Sequence, residues 1–450
     1  MLNDFLKDAA ENANNERRQR AIHFNIEQYN TKVAQMKAAQ WSDMERARRI
    51  AKNLKWAAIE QLDRNLLDFE RNFKAKGGQV LWATDTAAAQ DAIRGIVQHY
   101  KAKKVVKANS TVMEEIYLNE TLEAEGVTVL ETNLGAYIVQ INNEQPFHIT
   151  NSILHHSKED VAKIMQEKQD LQPNATPAEV MADVCNRLRY EFTTADMGIT
   201  SADFICADTG SIIVTENEGN ARLCATFTRI HIVIVGIDKA INSAKQLQLF
   251  SPLLSTYGTG QRLMAYNTIF NGPRQPSETD GPEAMYVILL DNNRSRLLAD
   301  STTRQSLYCI SCGACLNACP VYTTAGGHAY NAAYSGPIGA AILPTMQPEK
   351  AALAEVSTLC GKCNTVCPMY IDIHQIISYQ RELKTKNSDE NQVWSYWQKA
   401  MLNRWAINLP PKSIKAWGFQ RFFAANWGKS HQEPSFPKQT FNEMWRNGQV

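Results

Sequence analysis

The 450-residue chain has almost no net charge. Its 47 lysines and arginines stand against 46 aspartates and glutamates, a formal +1. A globally basic surface, the electrostatic footprint of a nucleic-acid-binding protein, is therefore not expected. Long apolar runs are also missing. Stretches such as Ile230 to Ile237, with His231 inside it, are far shorter than the roughly 20 residues a membrane-spanning helix requires. The opening Met1-Leu2-Asn3-Asp4 lacks the basic segment and apolar stretch of a secretory signal. No GxGxxG fingerprint, phosphate-binding P-loop or Gly-x-Ser-x-Gly elbow occurs, so nothing supports a nucleotide cofactor or a hydrolase serine. Cysteine is scarce, at ten residues, and a chain long enough for a proper core does not need a disulfide framework. Free thiols fit a reducing, cytoplasmic setting.

Seven of those ten cysteines fall in two short runs. The first is Cys309-x2-Cys312-x2-Cys315-x3-Cys319-Pro320, and the second is Cys360-x2-Cys363-x3-Cys367-Pro368. The first is the bacterial pattern that holds cubane iron–sulfur clusters, including the proline. Iron bridged by sulfide prefers soft thiolate donors. Two x2 steps let one turning loop aim three sulfurs at one cluster, and the x3 step sends the fourth towards a second. Cluster 1 is then expected on Cys309, Cys312, Cys315 and Cys367, and cluster 2 on Cys319, Cys360 and Cys363. Cluster 2 is one sulfur short, and registering one run on the other puts the vacancy at Ser357. Three possibilities stay open there: a serinate ligand, a three-iron [3Fe-4S] cluster, or an iron open to solvent, substrate or another residue. Otherwise two [4Fe-4S] clusters are expected. Structural zinc favours two separated ligand pairs and fits this spacing poorly. Cys185, Cys206 and Cys224 read as small buried apolar residues. His328 and His374 flank the runs and read as hydrogen-bond donors to backbone or sulfide rather than ligands.

By texture the chain divides into four parts: residues 1–76, 77–298, 299–385 and 386–450. In the first, apolar residues from Met44 to Phe69 recur at three- and four-residue steps, predicting one amphipathic helix whose Arg46, Arg48, Arg49, Lys52 and Lys55 form a solvated basic face. Lys76-Gly77-Gly78 ends it. Residues 77–298 alternate short β-rich runs with helical ones. Strands are predicted at Val80–Ala83, Lys104–Ala108 and Val127–Glu131, with helices at Ala87–Tyr100 and Met113–Glu125. This rhythm predicts an α/β domain with a mostly parallel sheet. Ligands bind such sheets at the carboxyl ends of strands, which singles out Lys107-Ala108-Asn109-Ser110 and Glu131-Thr132-Asn133-Leu134-Gly135. Beyond them, Asp208-Thr209-Gly210 and Glu216-Asn217-Glu218-Gly219-Asn220 read either as turns in a meander or as a polar pocket in which Glu218, Asn220 and Arg222 meet a ligand. An arginine there would suit a carboxylate. Residues 250–300 read as a loop-rich bridge with one further strand at Met285–Asp291. The roughly forty residues between the cysteine runs, helix-like at Glu349–Leu359, exceed a compact bacterial ferredoxin and point to an all-helical ferredoxin-type domain. The final part holds six of the nine tryptophans and ten basic against four acidic residues from Lys384 onward. That composition suits docking to a partner or a membrane face, or packing of the tail on its own domain.

Several segments carry a family resemblance: Asn109 to Ile116, Glu131 to Gly135, Ala195 to Thr200, Asp208 to Ser211, Glu216 to Arg222, Gly281-Pro282-Glu283, Cys309 to Tyr322, Gly326 to Tyr330 and Gly336 to Ala340. Over most of its length the chain resembles lactate utilization protein B, the iron–sulfur subunit of a bacterial L-lactate oxidation system. The resemblance implies a sheet domain of the ribose-phosphate isomerase/CoA-transferase type, a helical two-cluster ferredoxin domain, and helical N- and C-terminal extensions. It carries the family's cluster ligands onto Cys309, Cys312, Cys315, Cys319, Cys360, Cys363 and Cys367. It also implies two companion subunits, one with cysteine-rich CCG motifs and one with a second lactate-utilization domain. The expected role is electron transfer as L-lactate becomes pyruvate. Two alternatives stay open: a catalytic sheet domain acting on an acyl or sugar-phosphate substrate through Glu216 or Glu218, and a scaffold with structural clusters.

Overall fold

Six parallel strands form the central layer of the protein, in the order β1-β10-β7-β4-β2-β3. The computed structural model that shows this describes residues 2–386, Lys399, Gln439 and residues 441–449. The strands of this sheet are β1 (Gln79–Ala83), β2 (Lys104–Lys107), β3 (Thr128–Glu131), β4 (Met197–Ser201), β7 (Ile230–Gly236) and β10 (Ala284–Leu290). A second sheet has the order β8-β5-β6-β9, made of β5 (Phe204–Cys206), β6 (Ser211–Glu216), β8 (Ala240–Ile241) and β9 (Tyr266–Phe270).

The sequence dictates which strands are central. β7 reads Ile-His-Ile-Val-Ile-Val-Gly and all seven residues are buried. Strands covered on both faces need such continuous apolar runs. β10 is also central, between β1 and β7. The helix Thr86–Tyr100 crosses from β1 to β2 and is capped by Asp85, whose side chain accepts from the Ala88 N–H at 2.9 Å.

His231 is the exception inside β7. It is fully buried, with Thr200 Oγ1 2.8 Å from Nε2 and no partner for Nδ1. Burial pushes its pKa down to about 3 from 6.5. The folded state therefore holds it neutral while the unfolded chain protonates it below about pH 6.5. Stability is expected to fall as the pH drops from about 6.5 towards 3, by as much as ~4 kcal/mol from this residue. Urea titrations at pH 7 and pH 4.5 should show a smaller acid loss in His231→Leu than in the native protein.

Several expectations are corrected. The single helix predicted from the stripe Met44 to Phe69 is two, Met44–Glu60 and Leu62–Lys74, broken at Gln61. The Asn65 side chain donates to the Ala58 carbonyl at 2.9 Å and satisfies the break. Its basic face is not wholly solvated, because Arg48 and Lys55 are buried. Met113–Glu125 is likewise split, into Thr111–Glu115 and Leu118–Ala124, with Tyr117 left-handed at φ 52° between them. The meander ends early, since Asn220–Phe227 is a helix. The bridge contains the helix Leu247–Thr259 and strand β9. Cys206 and Cys224 are buried, but Cys185 is exposed on the helix Pro177–Thr194.

After β10 the described chain is helical, including the helix Gly336–Met346 and the 3₁₀ stretch Pro348–Val356, which stops short of Leu359. One hydrophobic core runs from Phe69 and Phe73 through Phe204 and Phe250 to Leu307, Leu316, Tyr322 and Ile376. The chain accordingly falls into two compact units, Met1–Arg381 and Glu382–Val450. In the second, Phe441–Arg446 is a short helix. The rest of the Trp-rich tail, and with it the docking reading, lies outside the described residues. No helix among the described residues is long and apolar enough to cross a membrane.

Candidate metal centre

The two cysteine runs have the same backbone, forty-eight residues apart. Gly313 and Gly361 both sit at φ 73°, and Ser311 and Leu359 are left-handed at φ 57° and 53°. Glycine is the residue that takes such a φ without a steric cost. Each glycine caps a short helix, Ala314–Asn317 or Lys362–Val366, which leads to the Cys-Pro step. In this register Ser357 stands where the first run has Cys309. The local hydrogen bonds correspond too. The Ser311 N–H donates to Cys309 Sγ at 3.3 Å, and the Leu359 N–H donates to Ser357 Oγ at 3.1 Å.

The thiols repel one another in two sets. Burial raises the pKa of Cys312, and the charges of Cys367 and Cys309 raise it further. Cys315 is raised by burial, then by Cys309, Cys312 and Cys367, with Cys363 last. Burial pushes Cys363 up to about 12, reinforced by Cys319 and Cys360. Cys367 is pushed up to about 11 by burial, with Cys309 adding to it. Cys360 alone is lowered, chiefly by the Lys362 backbone N–H, and is exposed. Crowded, buried soft donors of this kind are stabilised when a cationic metal core takes up their charge, so the donor set suits iron–sulfur ligation.

The carboxyl ends of the parallel strands face these loops. Lys107, at the end of β2, is fully buried between Glu131, 2.7 Å away at the end of β3, and Glu114 at 3.2 Å. Arg294, after β10, is held by Glu115 (2.7 and 2.9 Å) and Asp238 (2.8 Å) and donates to Tyr334 Oη at 3.0 Å. Lys239, after β7, donates to the Cys309 carbonyl at 3.1 Å and to Ser311 Oγ at 2.9 Å. A cavity of about 270 Å³ lies between sheet and cysteine loop, lined in part by Asn109, Asp203, Glu216, Lys239, Ser311 and Tyr334. Burial raises the pKa of Asp203, although Thr215 donates to it twice.

The two loops singled out at the strand ends do meet. The Asn109 N–H donates to Asn133 Oδ1 at 2.7 Å. Glu218 and Asn220 come together there. Glu218 accepts from the Leu134 N–H at 2.8 Å and from Asn220 at 3.3 Å, and Asn220 also donates to the Thr132 carbonyl. Arg222 is exposed and does not line the cavity. Glu216 accepts from the Ala221 and Arg222 N–H groups, as a cap of the helix Asn220–Phe227. His328 Nε2 bonds the Gln145 carbonyl at 2.7 Å, and His374 Nδ1 lies 2.8 Å from Asp372.

Other groups escaped the sequence reading. Glu144 Oε2 lies 3.1 Å from His155 Nε2 and 2.9 Å from His156 Nε2. Burial pushes the Glu144 carboxyl up, but bonds from the two imidazoles outweigh it and hold it well below the usual range. Lys239 and Arg294 were also missed. Their signal was position, just past the carboxyl ends of β7 and β10.

A parallel α/β sheet domain fused to paired cysteine loops of this geometry defines an iron–sulfur protein. Comparison with known proteins specifies it. Residues 66–290 match the LUD domain and residues 305–371 match the 4Fe-4S dicluster domain. Lactate utilization protein B of Bacillus velezensis is 37% identical over 384 residues, covering 84% of this chain and 78% of its own. The proteins of that name from Bacillus subtilis (38%, covering 77% and 72%) and Oceanobacillus iheyensis (31%, covering 90% and 87%) are similarly related. The chain belongs to the lactate utilization protein B family.

Proposed function

We propose that this chain carries electrons, one at a time, away from the oxidation of L-lactate to pyruvate. In this reading Cys309, Cys312, Cys315 and Cys367 hold one [4Fe-4S] cluster. Cys319, Cys360 and Cys363 hold the other, with Ser357 Oγ as its fourth ligand. When bound, such clusters supply one-electron transfer at potentials set by their surroundings. The protein's part is to fix two of them side by side, bury the first and leave the second near the surface. The observation that carries the reading is the repeated cysteine loop, in which each run's last thiol belongs electrostatically to the other run's set. The substrate comes from the names of the relatives.

The role requires partners that accept or deliver electrons. We propose a subunit with CCG-type cysteine motifs and a second LUD-domain subunit. Protein purified without air should contain about eight irons and matching sulfide for two cubanes. L-lactate should bleach it only when both partners are present. Colourless protein, or protein holding zinc, would overturn the proposal.

The Ser357 assignment has its own test. Ser357→Cys supplies a softer donor and should alter the electron paramagnetic resonance signal of cluster 2 alone. Ser357→Ala should lower the iron count from about eight towards seven, as a three-iron cluster forms. If neither variant changes that signal, Ser357 is not a ligand.

The cavity favours a second reading, in which the sheet domain is itself a catalyst. Glu216 and Glu218 are poor nucleophiles there, since both already accept backbone N–H bonds. Turnover of a substrate by the isolated, cluster-free chain would establish this reading over the relay.

A further inference from the structure

The basic residues of the N-terminal helices do not all face water. Arg48 is 6% exposed, and its Nη2 donates to the Cys367 carbonyl at 2.7 Å and the Thr365 carbonyl at 3.2 Å. Its guanidinium lies 3.9 Å from the centre of the Tyr370 ring. Lys55 is fully buried and donates to the carbonyls of Asp238 and Ala240. Lys37 Nζ stands 4.0 Å over the Tyr257 ring. From the opposite side, Lys239 holds the Cys309 carbonyl.

Two of these cations lie against one set of cysteines, Arg48 on the Cys367 carbonyl and Lys239 on the Cys309 carbonyl. Lys37 and Lys55 are not counted with them, since burial lowers the pKa of both, that of Lys55 to about 7. The acids among them do not cancel the charge. Asp238 is shared by Lys239 (3.2 Å) and Arg294 (2.8 Å), and Glu115 is taken by Arg294. Glu45 pairs with Arg48 but is 59% exposed, so water screens it. Among the described residues the other thiol set has no comparable surround: the cation that acts on Cys360 is Lys362, at an exposed position where water again screens the charge.

We propose that Arg48 and Lys239 form an electrostatic clamp that selectively raises the reduction potential of the cluster held by Cys309, Cys312, Cys315 and Cys367. The inference rests on the two-cluster reading above. Reduction adds one negative charge to the cluster, and fixed positive charge in a low-dielectric interior favours that form. Burial alone acts in the opposite direction, by disfavouring the more charged state. Removing a cation without exposing the site isolates the first effect from the second. These side chains are positioning residues, since none is a ligand. The N-terminal helices thereby acquire a task beyond packing.

The test is a redox titration of the full-length holoprotein without air, followed by electron paramagnetic resonance. Lys239→Met removes one largely buried charge beside Cys309. The reduction constant of cluster 1 should fall about tenfold, a shift of 59 mV to more negative potential for one electron, while cluster 2 stays in place. Arg48→Gln keeps a donor for the Cys367 carbonyl but not the charge, and should give the same one-sided shift. Arg48→Lys should restore most of the native value. Arg48→Gln also decides the matter if Lys239→Met does not retain its iron. Two native clusters whose potentials stay fixed, or move equally, in the iron-replete variants would overturn the clamp. Native protein that lacks two distinct clusters would overturn the relay reading itself.

Discussion

Replacing Cys367 with alanine empties the cluster to which Cys309, Cys312 and Cys315 belong, although Cys367 lies in the other run. Iron content should drop from about eight to about four per chain, and the surviving resonance signal should be that of the exposed site. Cys319→Ala should do the reverse. The expectation follows from the x3 step. In each run the second-last cysteine sits in a short helix and the last follows that helix, beyond the loop that carries the others. The electrostatics follow the same crossing, because Cys367 is pushed up by Cys309 while Cys363 is pushed up by Cys319. Lactate-dependent reduction should be lost in both variants, since either break interrupts the path. If Cys367→Ala instead removes the signal shared with Cys360 and Cys363, each run keeps its own cluster and the crossing is wrong.

Arg294→Met should destabilise the protein by about 3–5 kcal/mol, the usual cost of leaving a buried ion partner uncompensated. Arg294 is almost wholly buried, and two carboxylates, Glu115 and Asp238, would lose their shared cation. Tyr334 belongs to the same network, donating to Glu115 at 2.7 Å and accepting from Arg294 at 3.0 Å. Glu115 comes from the sheet domain and Tyr334 from the helical region beyond the first cysteine run. The network therefore joins the carboxyl ends of the strands to the metal-binding half. Chemical denaturation should show the loss directly. Tyr334→Phe, which removes only the hydroxyl, should cost about 1 kcal/mol. Equal stability of Arg294→Met and native protein would show that the network contributes nothing net.

The sequence was most legible where local chemistry is strict. Thiol spacing pointed to clusters and to the vacancy at Ser357, and the matching left-handed residues Ser311 and Leu359 give that register a physical basis. The β–α–β rhythm was readable because each parallel strand is a short apolar run between amphipathic helices. What could not be read depends on partners distant in the chain. Nothing near Lys55 announces that Asp238 and Ala240 will supply its acceptors, and a basic stripe on a helix normally faces water. Gln61 interrupts a regular apolar pattern because Asn65 offers the Ala58 carbonyl another donor. Glu218 looked like a ligand group, yet it serves a backbone N–H eighty-four residues away.

The first helix, Leu2–Asn14, packs Phe5 edge-on against Tyr330 at 5.2 Å, and Asn12 donates to the Thr324 carbonyl at 2.9 Å. This helix is thus made more than three hundred residues before its binding surface exists. Until it docks, the cysteine loops are not roofed over by it. Cellular iron-delivery machinery would have its best access then, and closure of the N-terminal helices would follow metal loading. Biogenesis in that order would make a helix synthesised before the cysteine loops settle after them.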